Sequence, residues 1–330
     1  MAAKVETFSD WREITRAWTA EDGRLPLFQR LSWFELLGAH APPPEGELLA
    51  LKAGGASPVW LFLARQGDRA TAYANWYSLR FSAVGEDADS LEEIARELRR
   101  LRLARIDLAP LVGSDPLFAA FRHAGWIVFD ELATVNWHIE TPGLDFATYW
   151  GGRSSRLRNT VKRKAKLAAL DMKVYTAFEA EAWADYERVY AASWKPAEGS
   201  PALLRAIAEQ QGGIGTLRLA IAYKDGQPLA AQIWLVEDGI ATIHKVAYDN
   251  EARELSPGSV LTAEMFRRVL DEEKVRRVDF GTGNDPYKAE WVDRHDALHR
   301  LLACNPGTPA GLMRAARSTA SKLVRRLRSH

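Results

Sequence analysis

The segment RVDFGTGNDPYKAEW, residues 277–291, gathers groups that could do chemistry. A β-type run carrying Asp279 breaks on two glycines two residues apart, then presents Tyr287, Lys288 and Trp291. Glycines at a strand end let another backbone or a ligand come close. Tyrosine and lysine beyond them offer a proton donor and a cation. The Asp-Phe-Gly triplet is not a kinase magnesium motif, because the catalytic loop and glycine-rich loop that must accompany it are absent. A second group lies upstream in SPGSVL, residues 256–261. Ser256 suits a helix N-cap and Pro257 the first helical position, which leaves the N–H groups of Gly258, Ser259 and Val260 facing outward as an anion site. His244 and the pair Trp194-Lys195 complete the set; the pair ends a helical pattern before a Pro/Gly loop.

Other signals fail on their own terms. His295 and His299 have a zinc-like spacing, but they run into a strand pattern and Asp296 stands where a glutamate is usual, so no metal is expected. Cys304, the single cysteine, ends an apolar strand and reads as a buried inert thiol. GGIGT lacks the lysine of a phosphate-binding P-loop, and no dinucleotide fingerprint occurs.

The elements that must position these residues are clearest in the second half. TLRLAIAYKD, GQPLAAQIWLVED and GIATIHKVAYD are β-rich runs separated by Asp225-Gly226 and Asp238-Gly239, the signature of hairpin turns. A helix follows from Ser256, with apolar residues at Val260, Leu261, Met265, Val269 and Leu270, and then the 277–281 strand. Strand, helix and strand at this length make a crossover that sets two strands parallel. The first half repeats the order: a hairpin at Gly67-Asp68, a helix in SLEEIARELRRL, a strand, a helix, and a closing strand pair in WIVFDELATVNWHIE. Both halves read as α+β.

With 330 residues, 47% apolar and 26% charged, the chain is long enough for two soluble domains. Forty-four basic against 43 acidic residues point to no partner in bulk. Residues 153–166 nevertheless carry seven basic side chains and no acid, with Leu157, Val161 and Ala165 on one stripe. A second basic amphipathic helix is expected at 311–330, with Leu312, Ala316, Ala320, Leu323 and Leu327 aligned. Each reads either as a solvated face or as a site for phosphate or an anionic membrane surface. No secretory signal or spanning run is visible, so a cytoplasmic protein, peripheral at the inner face of the membrane, is expected. Twelve tryptophans suit an amphiphilic ligand as well as a core.

The meander, the helix with an anion-binding start and the parallel return strand resemble the GNAT acyltransferase superfamily. Its pyrophosphate loop, Gln/Arg-x-x-Gly-x-Gly/Ala, corresponds here to Arg253-Glu254-Leu255-Ser256-Pro257-Gly258, with serine in place of the first glycine. The preceding basic helix, SPGSVL and DFGTGNDPYKAEW resemble the branch of CelD-like cellulose-biosynthesis proteins, near the FemAB-type transferases with two tandem GNAT-like domains. The resemblance implies an α+β fold of two tandem GNAT-like domains, each a mixed, mostly antiparallel sheet flanked by helices. It implies a degenerate domain at 1–145, an acyl-CoA-binding catalytic domain at 146–305 and a basic tail at 306–330.

The implied reaction moves an acyl group from acyl-CoA, or an acyl carrier protein, to an amine. Acyl-CoA would be a co-substrate held by Arg253, Ser256, Gly258, Ser259 and Val260, with no permanent cofactor. The attacking amine must be neutral, so a base or orienting group is needed, expected at His244 with Asp279 as the alternative. An N–H of strand 243–248 is expected to hold the oxyanion. Tyr287 is expected to protonate the leaving sulfur and Lys288 to meet phosphate or oxyanion, while Trp194 and Lys195 line the acceptor pocket. The acceptor is expected to be envelope-related: an amino sugar, a lipid-linked saccharide or a long-chain base. Two other readings stand beside this one: a FemAB-like transferase using aminoacyl-tRNA, the one case that calls for nucleic acid, and a non-catalytic scaffold in a polysaccharide or lipid pathway.

Overall fold

The computed structural model describes residues 4–44, 46–55 and 57–328, with side chains described as far as 320. The outer part of the expected terminal stripe, Leu323 and Leu327, lies outside the described side chains. The chain divides into two compact units, one running to Thr134 and resuming at Ala297, the other comprising Val135–Asp296.

In chain order the first elements are β1 (Glu6–Phe8), α1 (Trp11–Ala17), α2 (Leu31–His40), β2 (Glu47–Ala53), β3 (Val59–Gln66) and β4 (Arg69–Ala72). Next come α3 (Ala88–Arg100), β5 (Arg105–Val112), α4 (Leu117–His123) and β6 (Ile127–Glu140). The second half begins with α5 (Phe146–Gly151), α6 (Ser155–Ala168), β7 (Asp171–Tyr175), α7 (Ala180–Ala191) and α8 (Pro201–Gly213). It continues through β8 (Leu217–Lys224), β9 (Gln227–Glu237), β10 (Ile240–Tyr248) and α9 (Pro257–Arg267) to β11 (Arg277–Thr282), β12 (Arg294–Cys304) and α10 (Pro309–Arg328).

The two units share one topology. In the first, the order β1-β2-β3-β4-β5-β12 is antiparallel except for β4 beside β5. In the second, β7-β8-β9-β10-β11 is antiparallel except for β10 beside β11, and residues 136–140 of β6 close it against β11. The fold is thus α+β with tandem, mostly antiparallel sheets, as the resemblance implies. Within WIVFDELATVNWHIE, Ile127–Glu140 is one fourteen-residue strand, not the expected strand pair, because no turn residue interrupts it. The closing strands are also exchanged in sequence. β6 ends the first half yet pairs with β11, while β12 ends the second half yet pairs with β5. The unit boundaries therefore fall at 134/135 and 296/297 rather than at 145/146 and 305/306.

Local chemistry explains the meander. Asp225-Gly226 and Asp238-Gly239 all have positive φ, between 48° and 77°, as two-residue hairpin turns of the favoured hand require. One face of the second sheet packs on α5, α6 and α9 through Trp234, Ile243, Val278, Phe266, Leu157 and Val161. Tyr149 stacks on Phe266 at 4.6 Å, Phe266 stacks on Trp291 at 5.7 Å, and the Tyr149 hydroxyl donates to the Trp291 carbonyl at 2.8 Å. Each fully buried ring of this kind contributes about 1.5–3 kcal/mol. Leu219, Ile221, Ile233 and Leu235 alternate to the opposite face, which α7 and α8 cover.

Residues 135–296 hold their own core and both neighbours of β11, so this fragment is expected to unfold cooperatively in urea. Fragment 146–305 lacks the closing strand and is expected to aggregate. Equal behaviour of the two would contradict the strand exchange.

Candidate active site

The site begins where β10 and β11 stop pairing. Their parallel ladder covers only Ile240–Thr242 against Arg277–Asp279. Immediately beyond, β10 bulges between Ile243 and Lys245, and β11 bulges between Asp279 and Gly281. The strands diverge, and the edge of β10 at 244–248 is left without a β11 partner for its backbone groups.

The break in β11 is built, not incidental. Gly281 and Gly283 have φ of 74° and 103°, which favour glycine. Asp279, 6% exposed, accepts hydrogen bonds from the Gly281 N–H and from Asn136 Nδ2, each at 2.9 Å. Lys288 is 4% exposed, and its Nζ donates to the carbonyls of Thr282 at 2.6 Å and of Gly281 and Gly283 at 3.4 Å, with Asp285 at 3.6 Å. These contacts revise two expectations. Lys288 clamps the glycine break instead of meeting phosphate or oxyanion, and burial lowers its pKa. Asp279 holds the same break and is not placed as a free base. The closing Trp291 is core.

His244 lies in the β10 bulge. Both of its ring nitrogens are buried and neither has a hydrogen-bond partner. Burial, and then the Lys245 charge, push its pKa down to about 3, so the ring is neutral at physiological pH. Such a ring orients a ligand well and takes up a proton poorly, which favours the orienting half of the expectation. Tyr287 packs edge-on to Phe280 at 5.8 Å. Burial and then Asp285 push its phenol up to about 12, which keeps it protonated and suits a proton donor.

The anion-binding loop forms at the start of α9. A 3₁₀ turn over Asn250–Leu255 leads to Ser256 in the left-handed region, φ 51° and ψ 46°, where a glycine would sit without strain. The Ser256 hydroxyl makes no cap bond, so its expected capping role is not realised. The Val260 N–H donates to the Ser256 carbonyl at 3.2 Å, which removes it from the expected donors. Gly258 and Ser259 keep N–H groups with no such bond and face the helix entrance. Arg253 is exposed on this turn. Lys164 of α6 donates to the Glu254 carbonyl, tying the basic helix to the loop. Arg156, Lys162, Arg163 and Lys166 of that helix are exposed.

On the opposite face, the connection from α7 to α8 brings in residues that the sequence reading partly missed. Glu198 pairs with Lys245 at 3.0 Å, both side chains being largely buried. Their neighbours in sequence, His244 and Lys195, were the only signal for them. Lys195 lines a cavity of about 470 Å³ whose other walls include Trp183, Tyr186, Tyr190, Leu204 and Glu198. Trp194 does not line it. Its ring, 53% exposed, packs on Tyr248 at 4.4 Å, next to the anion loop, where a side chain on Gly258 would come within 3.1 Å of Tyr248. Among the described residues no group of metal-ligating side chains forms. His299 pairs with Asp130, and His295 stands edge-on to Trp137.

A sheet whose parallel pair opens at a bulge, beside a helix presenting free N–H groups, is the arrangement that the GNAT resemblance implies. Residues 153–289 match the family model described as an acetyltransferase (GNAT) domain, and the second unit of the chain is such a domain. Solved structures share the architecture. FemX is 8% identical with a TM-score of 0.59, covering 90% of this chain and 96% of its own. The C-terminal domain (DUF2156) of a putative lysylphosphatidylglycerol synthetase from Agrobacterium fabrum is 16% identical with a TM-score of 0.54, covering 78% and 84%. L-PGS from Bacillus licheniformis is 12% identical with a TM-score of 0.52, covering 90% and 96%. At these identities the likeness is one of fold. No curated protein matches the sequence.

The depressed His244 pKa makes a pH-dependent signature. Below its ordinary value of 6.5 the unfolded chain binds a proton that the folded chain refuses until about pH 3, so stability falls as pH drops through that window. The slope from this group approaches about 1.4 kcal/mol per pH unit. Urea unfolding at about pH 7 and about pH 5 should show a smaller loss for His244→Gln than for the wild type. Equal losses would contradict the buried neutral ring.

Proposed function

We propose that the protein transfers an acyl group from a CoA thioester to a primary amine, with the donor between β10 and β11 and the acceptor in the α7–α8 cavity. The observation that carries this reading is that three features lie along β10 and at the α9 start beside its Tyr248. The Gly258 and Ser259 N–H groups suit the pyrophosphate, the unpaired edge of β10 suits the pantetheine amides, and His244 stands without a partner at the bulge. Arg253 adds a cation at the loop, and the exposed lysines and arginines of α6 add positive potential beside it.

The chemistry follows from the groups present. The amine nitrogen attacks the thioester carbonyl, a backbone N–H of the β10 bulge holds the oxyanion, and Tyr287 protonates the departing sulfur. The neutral His244 ring hydrogen-bonds the reactants and fixes their approach. The aromatic and aliphatic cavity walls favour an amine with an apolar body, so among envelope-related acceptors a long-chain base or another amphiphilic amine is preferred over a free amino sugar. A CelD-like placement in envelope construction agrees with this choice. Among the described residues no helix is long and apolar enough to cross a membrane. The exposed cations of α6, beside an exposed Leu167, and the exposed Leu312, Met313 and Ala316 of α10 support contact with an anionic membrane surface.

The test is calorimetric titration with CoA, acetyl-CoA and palmitoyl-CoA, beside Ser259→Pro. Proline is tolerated in a first helical turn but deletes one amide donor. Binding of CoA species that weakens about tenfold in the variant, a loss near 1.4 kcal/mol, is expected. A Kd that grows tighter with acyl length would favour the lipid acceptor. Binding unchanged in the variant would move the pyrophosphate elsewhere, and no binding by the wild type would turn the account toward carrier-protein or tRNA donors.

A further inference from the structure

We propose that Lys195 is the proton acceptor of the transfer, its amine taking the proton from the acceptor ammonium before attack. This rests on the acyl-transfer reading above, and four observations carry it.

The first is position. Lys195 lines the cavity and interacts electrostatically with Glu198 of its own connection, with Lys245 of β10, and with Asp285 and Lys288 from the segment after β11. Its side chain therefore borders the acceptor space within electrostatic reach of charges on β10 and after β11. The second is that this group is uncommitted. Lys195 Nζ lies 5.7 Å from the centre of the Trp194 ring, and among the described residues none accepts a hydrogen bond from it. Lys245 cannot serve instead, because Glu198 holds it at 3.0 Å.

The third observation is the state of the alternatives. His244 resists protonation at any pH where the fold is expected to persist. Asp279 and Lys288 hold the glycine break through their own hydrogen bonds. Tyr287 is protonated and suits the opposite role. The fourth is the balance of forces on Lys195. Burial and the nearby Lys245 push its pKa down to about 8, with Glu198 and Asp285 opposing. About a tenth of the side chain is then neutral at pH 7, enough for a base matched to an alkylammonium acceptor.

The protons balance. Neutral Lys195 takes one proton from the acceptor R–NH₃⁺ and later releases it to solvent. The freed R–NH₂ forms the C–N bond as the C–S bond breaks. A second nitrogen proton leaves through water to Tyr287, which has given its own proton to sulfur. The products are the amide, free thiol and one proton.

Two measurements on the full chain test this. Trace labelling with acetic anhydride across pH, read lysine by lysine by mass spectrometry, should give Lys195 a midpoint near 8, well below the ordinary lysine value of 10.5. Lys245→Met should raise that midpoint, because a depressing cation is gone. Thiol release from acetyl-CoA and palmitoyl-CoA is then followed with 2-phenylethylamine, glucosamine and sphinganine as acceptors. With any acceptor that turns over, Lys195→Met should lower kcat by about 100-fold or more while the Kd for CoA stays within about twofold. Lys195→Arg, which keeps the charge but cannot lose it, should be as poor. Recovery in Lys195→Arg, full kcat in Lys195→Met, or a Lys195 midpoint at the ordinary lysine value of 10.5 would each overturn the proposal alone. CoA binding with no turnover of any acceptor by the wild type would overturn the acyl-transfer reading, and this proposal with it.

Discussion

The short parallel ladder between β10 and β11 is the constraint on which the rest depends. Three paired residues hold the strands together, and a bulge on each side then forces them apart. A strand pair left open inside a sheet loses backbone hydrogen bonds that water or a ligand must replace. The opening persists because its far edge is fixed from within. Lys288 fastens three carbonyls, Asp279 an amide and Asn136, and the left-handed glycines let the chain turn away from β10. Two charged residues that look like chemistry are thus the scaffold of the cleft, while the ring nitrogens of His244 have no hydrogen-bond partner among the described residues.

That division of labour is electrostatic. Burying an ionisable group unpaired favours its neutral form, whichever form that is. His244 is held as free imidazole, Tyr287 as phenol, and the Lys195 ammonium is made easier to deprotonate, its pKa lowered to about 8. A neutral orienting ring, a protonated acid and an amine neutral in about a tenth of molecules at pH 7 are the states that attack on a thioester requires. The Lys245–Glu198 pair serves both purposes: its cation depresses His244 and Lys195, while its carboxylate fixes that cation in place.

Much of this was legible in the sequence because it is local. Asp-Gly pairs between β-rich runs gave the meander, Pro257 marked the start of α9, and the glycine break announced the end of a strand. What was not legible depends on contacts distant along the chain. Lys288 reads the same in sequence whether its ammonium meets a ligand or its own loop. Glu198 has meaning only against Lys245, which is 47 residues away. The exchange of β6 and β12 is invisible to periodicity, since a strand's pattern says which face is apolar and not which neighbour it takes. The residue type of Ser256 suggests a cap. Its left-handed backbone shows that the position answers to the turn instead.

The central claim is that the opening between β10 and β11 is where the donor lies. Amide hydrogen exchange on the full chain, with and without saturating CoA, tests it most directly. The account predicts slowed exchange in 244–248 and at Gly258 and Ser259, with little change in β5 and α3. Protection confined to other segments, with these amides unchanged while CoA is bound, would contradict it.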